Sequence, residues 1–224
     1  TAATMMGSTL KGKDDSITVK INGGGPCGTV LAVSDSDGNV RGCIGKADIS
    51  LPLNKKGKLD VAGAVGKNGF VTVIKDLGLK EPYIGKTPIV SGEIAEDITS
   101  YYAVSEQIPT VCALGVLTEH DSGEIICAGG FMIQLLPTAD DTIIERVEES
   151  IKDLPPVTKM LSDGMTPEEI CKKALSKFNL QLLDETNTAY RCTCSRERVE
   201  KALIATGKSG LSEMAEDETT EVVC

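Results

Sequence analysis

Cys192 and Cys194 are the residues whose type and spacing point most directly to chemistry. They flank Thr193 in a polar stretch, with Tyr190-Arg191 before them and Ser195-Arg196-Glu197-Arg198 after them. Cationic surroundings of this kind are where sulfur meets metals and oxidants as thiolate. Cys224 follows, with 29 residues between it and Cys194, at the end of a strand-like run from Thr219 to Val223. A closed zinc site takes four soft ligands in a tetrahedron. These three sulfurs supply three of them, and a Cys-x-Cys pair by itself leaves metal binding an open question.

The other five cysteines read differently. Cys27, Cys43, Cys112 and Cys127 lie among Val, Ile and Leu neighbours and are expected to be buried as small hydrophobes. Cys171 follows Ile170 and is expected to pack as well. Eight cysteines in a small secreted chain would suggest a disulfide framework. Here no signal segment is evident and the apolar content is adequate for a core, so a reducing, cytoplasmic setting is expected. Catalysis finds no positive case. Asn22-Gly23-Gly24-Gly25-Pro26-Cys27-Gly28 is glycine-rich, but no Gly-Lys-Ser/Thr follows, so it reads as a turn or bulge and not as a phosphate cradle. The single histidine, His120, sits in a polar hairpin tip, and the acidic pairs Asp14-Asp15 and Asp140-Asp141 and the triplet Glu216-Asp217-Glu218 read as solvated faces. There is no Cys-x-x-Cys to support a thioredoxin-like activity. The chain does not read as an enzyme.

Composition narrows the partners. Hydrophobic residues make up 41% and charged residues 25% of 224 positions, values of an ordinary folded protein. Aromatics are only 3%, so the core must come mainly from Val, Ile, Leu and Ala. The net charge of −10 and the isoelectric point near 4.7 argue against dedicated nucleic-acid binding. No apolar run approaches the ~20 residues that span a bilayer. The chain opens on Thr1-Ala-Ala-Thr-Met-Met and stops at Cys224, so it is expected to be a fragment of a longer product, shortened at both ends.

The elements that must position the sulfurs fall into three stretches. Residues 1–138 read as an α+β domain with an antiparallel sheet and covering helices. Ile17, Val19 and Ile21 alternate with polar residues as a half-buried strand. Asp35 to Asn39 is a hairpin turn between the apolar run Cys27–Val33 and Val40–Gly45. Phe70–Ile74 and Thr87–Ser91 are expected strands, Glu93–Glu106 an amphipathic helix, and Thr110–Thr118 with Glu124–Leu136 a second hairpin. Residues 139–190 turn helical. Ile143, Ile144, Val147 and Ile151 keep helical spacing until Pro155-Pro156. Thr166-Pro167-Glu168-Glu169 is a capping box that starts a helix over Pro167–Phe178. Residues 191–224 form a small unit in which Ser195 caps a helix ending near Gly207. So little apolar content would not fold without a staple, and a metal is the natural one.

Taken in order, many stretches resemble the 33 kDa redox-regulated heat-shock chaperone family. They are Met5-Met6-Gly7, Ile21–Pro26, Gly57–Asp60, Ala64-Val65-Gly66, Ile89–Glu93, Tyr101-Tyr102 with Ser105-Glu106-Gln107, Ala128–Leu135, Leu161–Glu169 and Cys192–Ser195. The resemblance covers essentially the whole chain. It implies a chaperone core (1–138) lacking its first strand and helix, a helical linker over it (139–190), and part of a C-terminal zinc and redox-switch domain (191–224).

The family signature is Cys-x-Cys followed about 27–32 residues later by Cys-x-x-Cys, all ligating one zinc per chain as thiolates. Cys192, Cys194 and Cys224 match its first three positions. The resemblance further implies that oxidation pairs Cys192 with Cys194, and Cys224 with a partner beyond the chain end, releasing zinc and unfolding the switch and linker. Exposed apolar surface would then hold unfolding client proteins without ATP, and the oxidised protein would form a homodimer. Two readings of other classes compete: a zinc-stapled interaction module without switching, and a thiol oxidoreductase using Cys192 and Cys194.

Overall fold

The computed structural model describes residues 1–55, 57–119 and 122–216, in two units: Thr1–Ala189, and a smaller one from Tyr190 onward. The first unit is α+β, with antiparallel strands throughout.

Its centre is β1 (Ser16–Asn22). Side chains alternate across a strand, so Ile17, Val19 and Ile21 all point to one face, and all three are buried. β1 pairs on one side with β2 (Val30–Asp35) and on the other with β4 (Phe70–Asp76). β3 (Asn39–Ile44) continues beyond β2, and β5 (Tyr83–Pro88) beyond β4. The sheet order is therefore β5-β4-β1-β2-β3, extended on the β3 side by the two-residue strand β8 (Ala189–Tyr190), where the first unit ends. The expected hairpin turn at 35–39 is present. Asp35 Oδ1 accepts from the backbone N–H groups of Asp37 at 3.1 Å and Asn39 at 2.9 Å.

Two helices complete this first core. α1 (Ala2–Gly7) buries Ala3 and Met6, and a Cβ on Gly7 would lie 2.7 Å from Ser34 Oγ, so the helix requires glycine where it meets β2. A short helix, α2 (Val61–Val65), is capped by Asp60, whose side chain accepts from the Gly63 N–H. The glycine run 23–25 lies against the end of α2. A Cβ on Gly23 would come within 2.1 Å of the Gly66 carbonyl oxygen, and the Gly25 N–H donates to the Val65 carbonyl at 2.9 Å. The run is a tight backbone crossing, as its turn reading required.

α3 (Ile94–Tyr101) buries Ile98 and Tyr101. The expected helix over 93–106 departs from regularity in its last third, where Tyr102–Glu106 forms a π-helical turn closed by Gln107 at φ 57. A cluster of side chains holds that turn. Tyr101 donates to Glu106 Oε1 at 2.5 Å, and Lys75 pairs with the same oxygen at 2.7 Å. Burial, reinforced by the neighbouring Glu106 carboxylate, pushes the Tyr101 phenol above its ordinary range. The expected strand at 87–91 lies earlier, at Tyr83–Pro88. Residues 90 and 91 instead leave the sheet and donate their N–H groups to buried Asp97 Oδ1, at 2.8 and 3.1 Å.

β6 (Thr110–Thr118) and β7 (Ile125–Gln134) make a separate two-stranded sheet. Three helices follow: α4 (Asp141–Ile151), α5 (Val157–Ser162) and α6 (Pro167–Ala174). A second, smaller core of Phe131, Val157, Met160, Ile170 and Ala174 lies among β7, α5 and α6. In the second unit, α7 (Arg196–Ala205) and α8 (Gly207–Met214) bury no residue. α7 ends at Ala205, close to Gly207 as expected, and Gly207 itself begins α8.

Candidate functional site: an exposed cysteine pair and a docked helical segment

The two described cysteines of the Cys-x-Cys pair sit in the loop immediately before α7. Ser195 caps that helix, its hydroxyl accepting from the Arg198 N–H at 3.3 Å. The cap fixes where Cys194 leaves the loop. The Arg198 guanidinium then folds back to donate to Thr193 Oγ1 at 2.7 Å and to the Thr193 carbonyl at 3.3 Å. A cation is thus held at the residue between the two sulfurs. The Cys194 N–H donates to Cys192 Sγ at 3.3 Å, and both cysteines are exposed. Two exposed soft donors one residue apart suit two positions of a tetrahedral zinc site, with an N–H···S bond of the sort that orients a ligating sulfur. Among the described residues no group of three or more His, Cys, Asp and Glu side chains could hold a metal ion. Cys224, with the strand-like run before it, lies outside the described residues, as does His120.

The remaining cysteines divide. Cys27 is buried. Cys112 and Cys127 are half-buried, and burial pushes the Cys112 thiol up to about 11. Cys127 donates its S–H to the Thr158 carbonyl of α5 at 3.7 Å. Cys171 is half-buried and its thiol is also raised by burial. Cys43 corrects the expectation of burial, for it is exposed. Its apolar neighbours form a strand, but the last three residues of β3 lie uncovered at the outer part of the sheet.

The helical segment is built to dock. In α4, Asp140 accepts from the Thr142 hydroxyl at 2.6 Å and the Ile143 N–H at 3.1 Å. Those bonds, the Thr142 hydroxyl first, hold its carboxyl below its ordinary range. In α6 the capping box read from the sequence is complete. The Glu169 N–H donates to Thr166 Oγ1 at 3.2 Å, and the Thr166 N–H donates to Glu169 Oε2 at 2.8 Å. Glu169 is held below its ordinary range by its bond to the Thr166 backbone and then to the Thr166 side chain.

Sequence reasoning missed α5, the helix at the centre of the docking. Pro156, read as a helix stop, is its N-cap residue. Gly115 and Gly129 face each other across β6 and β7. A Cβ on Gly115 would meet Thr158 Cγ2 at 2.7 Å, and one on Gly129 would meet Leu161 Cδ1 at 2.7 Å. This paired glycine floor lets α5 seat Val157 and Met160 in the second core. The signal was present in Ala128-Gly129-Gly130-Phe131, because glycines inside a strand mark the close approach of another element.

Comparison with known proteins settles the family. Residues 1–224 match the family model described as Hsp33 protein. The chain belongs to the Hsp33 family. It is 48% identical to the 33 kDa chaperonin of Clostridium botulinum (strain Alaska E43 / Type E3), over 100% of this chain and 76% of that protein. It is 49% identical to the 33 kDa chaperonin of Clostridioides difficile (strain 630), over 100% of this chain and 77% of that one. Among solved structures, the crystal structure of the 33 kDa chaperonin from Thermotoga maritima superposes with a TM-score of 0.86 at 38% identity, covering all of this chain and 75% of that one. Hsp33 proteins are chaperones and not enzymes, and this chain is accordingly a chaperone with an α+β fold. Among the described residues no helix is long and apolar enough to cross a membrane.

Proposed function

We propose that this chain is a redox-switched holdase, a chaperone that binds unfolding proteins without ATP after its cysteines are oxidised. The observation that carries the reading is the second unit. It buries no side chain among its described residues, and it presents Cys192 and Cys194 exposed at its start. A unit with no core of its own depends on something other than packing for its order.

Zinc bound by the thiolates of Cys192, Cys194 and Cys224 would supply that order, since ligand bonds formed only in the folded state are folding free energy. Cys192 and Cys194 then act as the sensor. Peroxide takes two electrons from the two thiolates, one S–S bond forms, and the two peroxide oxygens leave as two waters with two protons taken from solvent. The thiolates are consumed and the unit loses its organising bonds.

The effector is the segment 139–190. α5 and α6 are short, α6 is strongly charged, and both stay helical through docking more than through intrinsic propensity. Once they lift, Phe131, Val157, Met160 and Ile170 face water, an apolar surface able to hold unfolding clients. The oxidised protein would pair as a homodimer, and the net charge of −10 would keep an exposed-surface state soluble. A switch that rests in the thiol form belongs in a reducing compartment such as the cytoplasm.

The test is light scattering from a heat-unfolded client enzyme, with reduced and with peroxide-treated protein. Suppression of aggregation only after oxidation is the expected result. Equal protection in both states removes the switch, and zinc that survives peroxide would turn the reading toward a stapled interaction module.

A further inference from the structure

Residues 41–60 differ from the rest of the chain in both charge and exposure. They carry five cations, Arg41, Lys46, Lys55, Lys56 and Lys58, against two carboxylates, Asp48 and Asp60. That is a local +3, leaving the rest of the chain at −13. One of the two carboxylates is occupied, since Asp60 accepts from the Gly63 N–H at 2.9 Å as the cap of α2.

Between β3 and α2 the described backbone forms no helix or strand. Ile49 anchors it by packing on the first core. Beyond Ile49 the chain closes a tight turn. The Asn54 N–H donates to the Lys58 carbonyl at 2.7 Å, and the Gly57 N–H donates to the Asn54 carbonyl at 2.9 Å. The Lys58 N–H donates to Asn54 Oδ1 at 3.1 Å. Leu53 and Leu59 flank this turn and are 51% and 59% exposed. Lys46, Lys55 and Lys58 are exposed too, and none of them is in an ion pair among the described residues. The result is a finger whose tip carries leucines and unpaired ammonium groups side by side.

We propose that this finger is a client-contact surface selecting unfolded segments that combine carboxylates with apolar side chains; the proposal rests on the holdase reading. The leucines supply non-directional apolar contact, and the lysines select by charge. An anionic bilayer fits less well, because the −13 on the remaining chain would repel an extended negative surface. A flexible segment reaches the finger within a Debye length of about 10 Å and avoids that repulsion. Single-stranded nucleic acid is disfavoured because residues 41–60 contain no aromatic side chain to stack a base.

The test uses two fluorescent unfolded peptides of equal length and identical leucine pattern, one with glutamate and one with lysine at the polar positions. Anisotropy titrations are run on reduced and oxidised protein. The glutamate peptide should bind about tenfold tighter at low salt, with the gap shrinking to about twofold near 0.5 M salt. Lys55→Glu with Lys58→Glu should reverse the preference, and Leu53→Ser with Leu59→Ser should weaken both peptides alike. These side chains are exposed, so melting temperatures should hold. If a charge-reversal variant melts early, Lys55→Gln with Lys58→Gln replaces it and should abolish the preference.

Equal affinity for the two peptides, or a preference that survives in the lysine variants, overturns the finger. So does displacement of the glutamate peptide by phosphatidylglycerol vesicles, which would assign it to lipid. The two readings fail separately. Charge preference together with equal client protection in both redox states removes the switch and keeps the finger, whereas oxidation-dependent protection without charge preference does the reverse.

Discussion

The first core and the second unit solve the same problem with opposite means. In the first, Ile17, Val19 and Ile21 of β1 meet Val71 and Val73 of β4 under Ile98 and Tyr101 of α3, all of them buried. In the second, α7 is held by the Ser195 cap and by the exposed pairs Arg196–Glu200 and Lys201–Glu197, and neither α7 nor α8 buries a residue. Exposed pairs of this kind contribute little, about 0.3–0.5 kcal/mol each at best. Ordering a residue's backbone costs about 1–2 kcal/mol, so such pairs cannot balance the ledger. On the proposed reading the trigger belongs to the unit that cannot hold itself, and the resistance to the one that can. Between them in character is the docked segment, with a core of only five buried residues.

The comparison can be broken most severely at the sulfurs. Cys192→Ser with Cys194→Ser removes two of the sulfurs that would hold zinc and should give client protection without peroxide in the light-scattering assay, while β1 keeps its exchange protection; a variant that still needs oxidation would move the sensor elsewhere. Next in size is Met160→Ala. Met160 is 1% exposed at the centre of the second core, and its loss should cost about 2–5 kcal/mol of docking. Client protection should then appear in the reduced protein, and proteolysis of residues 139–189 should speed up. A variant that stays silent when reduced would separate docking from activity.

Thr166→Ala removes the cap of α6 and should cost about 1 kcal/mol, read as a lower oxidant threshold for activation. A further effect is alkaline and belongs to the first unit. Burial raises the Cys112 thiol to about 11 and the Tyr102 phenol to about 12. The folded state therefore keeps protons that the unfolded state gives up from about pH 9 upward. Stability is full below that pH and falls as pH rises toward 11–12, so the urea midpoint should drop between pH 8 and 10.5. Cys112→Val should flatten the early part of that fall, and an unchanged slope would remove Cys112 as its source.

Much of this was legible in the residues because local signals and tertiary context agreed. The alternation in β1, the turn at Asp35–Asn39, the spacing in α4 and the capping box at Thr166 and Glu169 each encode their own geometry. Where the outcome depended on a distant neighbour, local reading failed. Cys43 sits in an apolar run but at an uncovered strand end. The helix over 93–106 was regular in pattern, yet the Tyr101–Glu106–Lys75 cluster holds its end as a π turn. α5 has too short an apolar stripe to be seen alone, and only the facing glycines 115 and 129 explain its seat. At the candidate site, the type and spacing of Cys192 and Cys194 were visible at once. The fold of Arg198 over Thr193 was not, because it depends on the helix that Ser195 caps.

The most direct test of the central claim is hydrogen exchange across residues 190–216 of reduced, zinc-loaded protein before and after a strong chelator. The account predicts that protection in this stretch collapses while β1 (Ser16–Asn22) keeps its own. Protection in 190–216 that persists without metal would contradict it, since the unit would then be ordered by means other than its sulfurs.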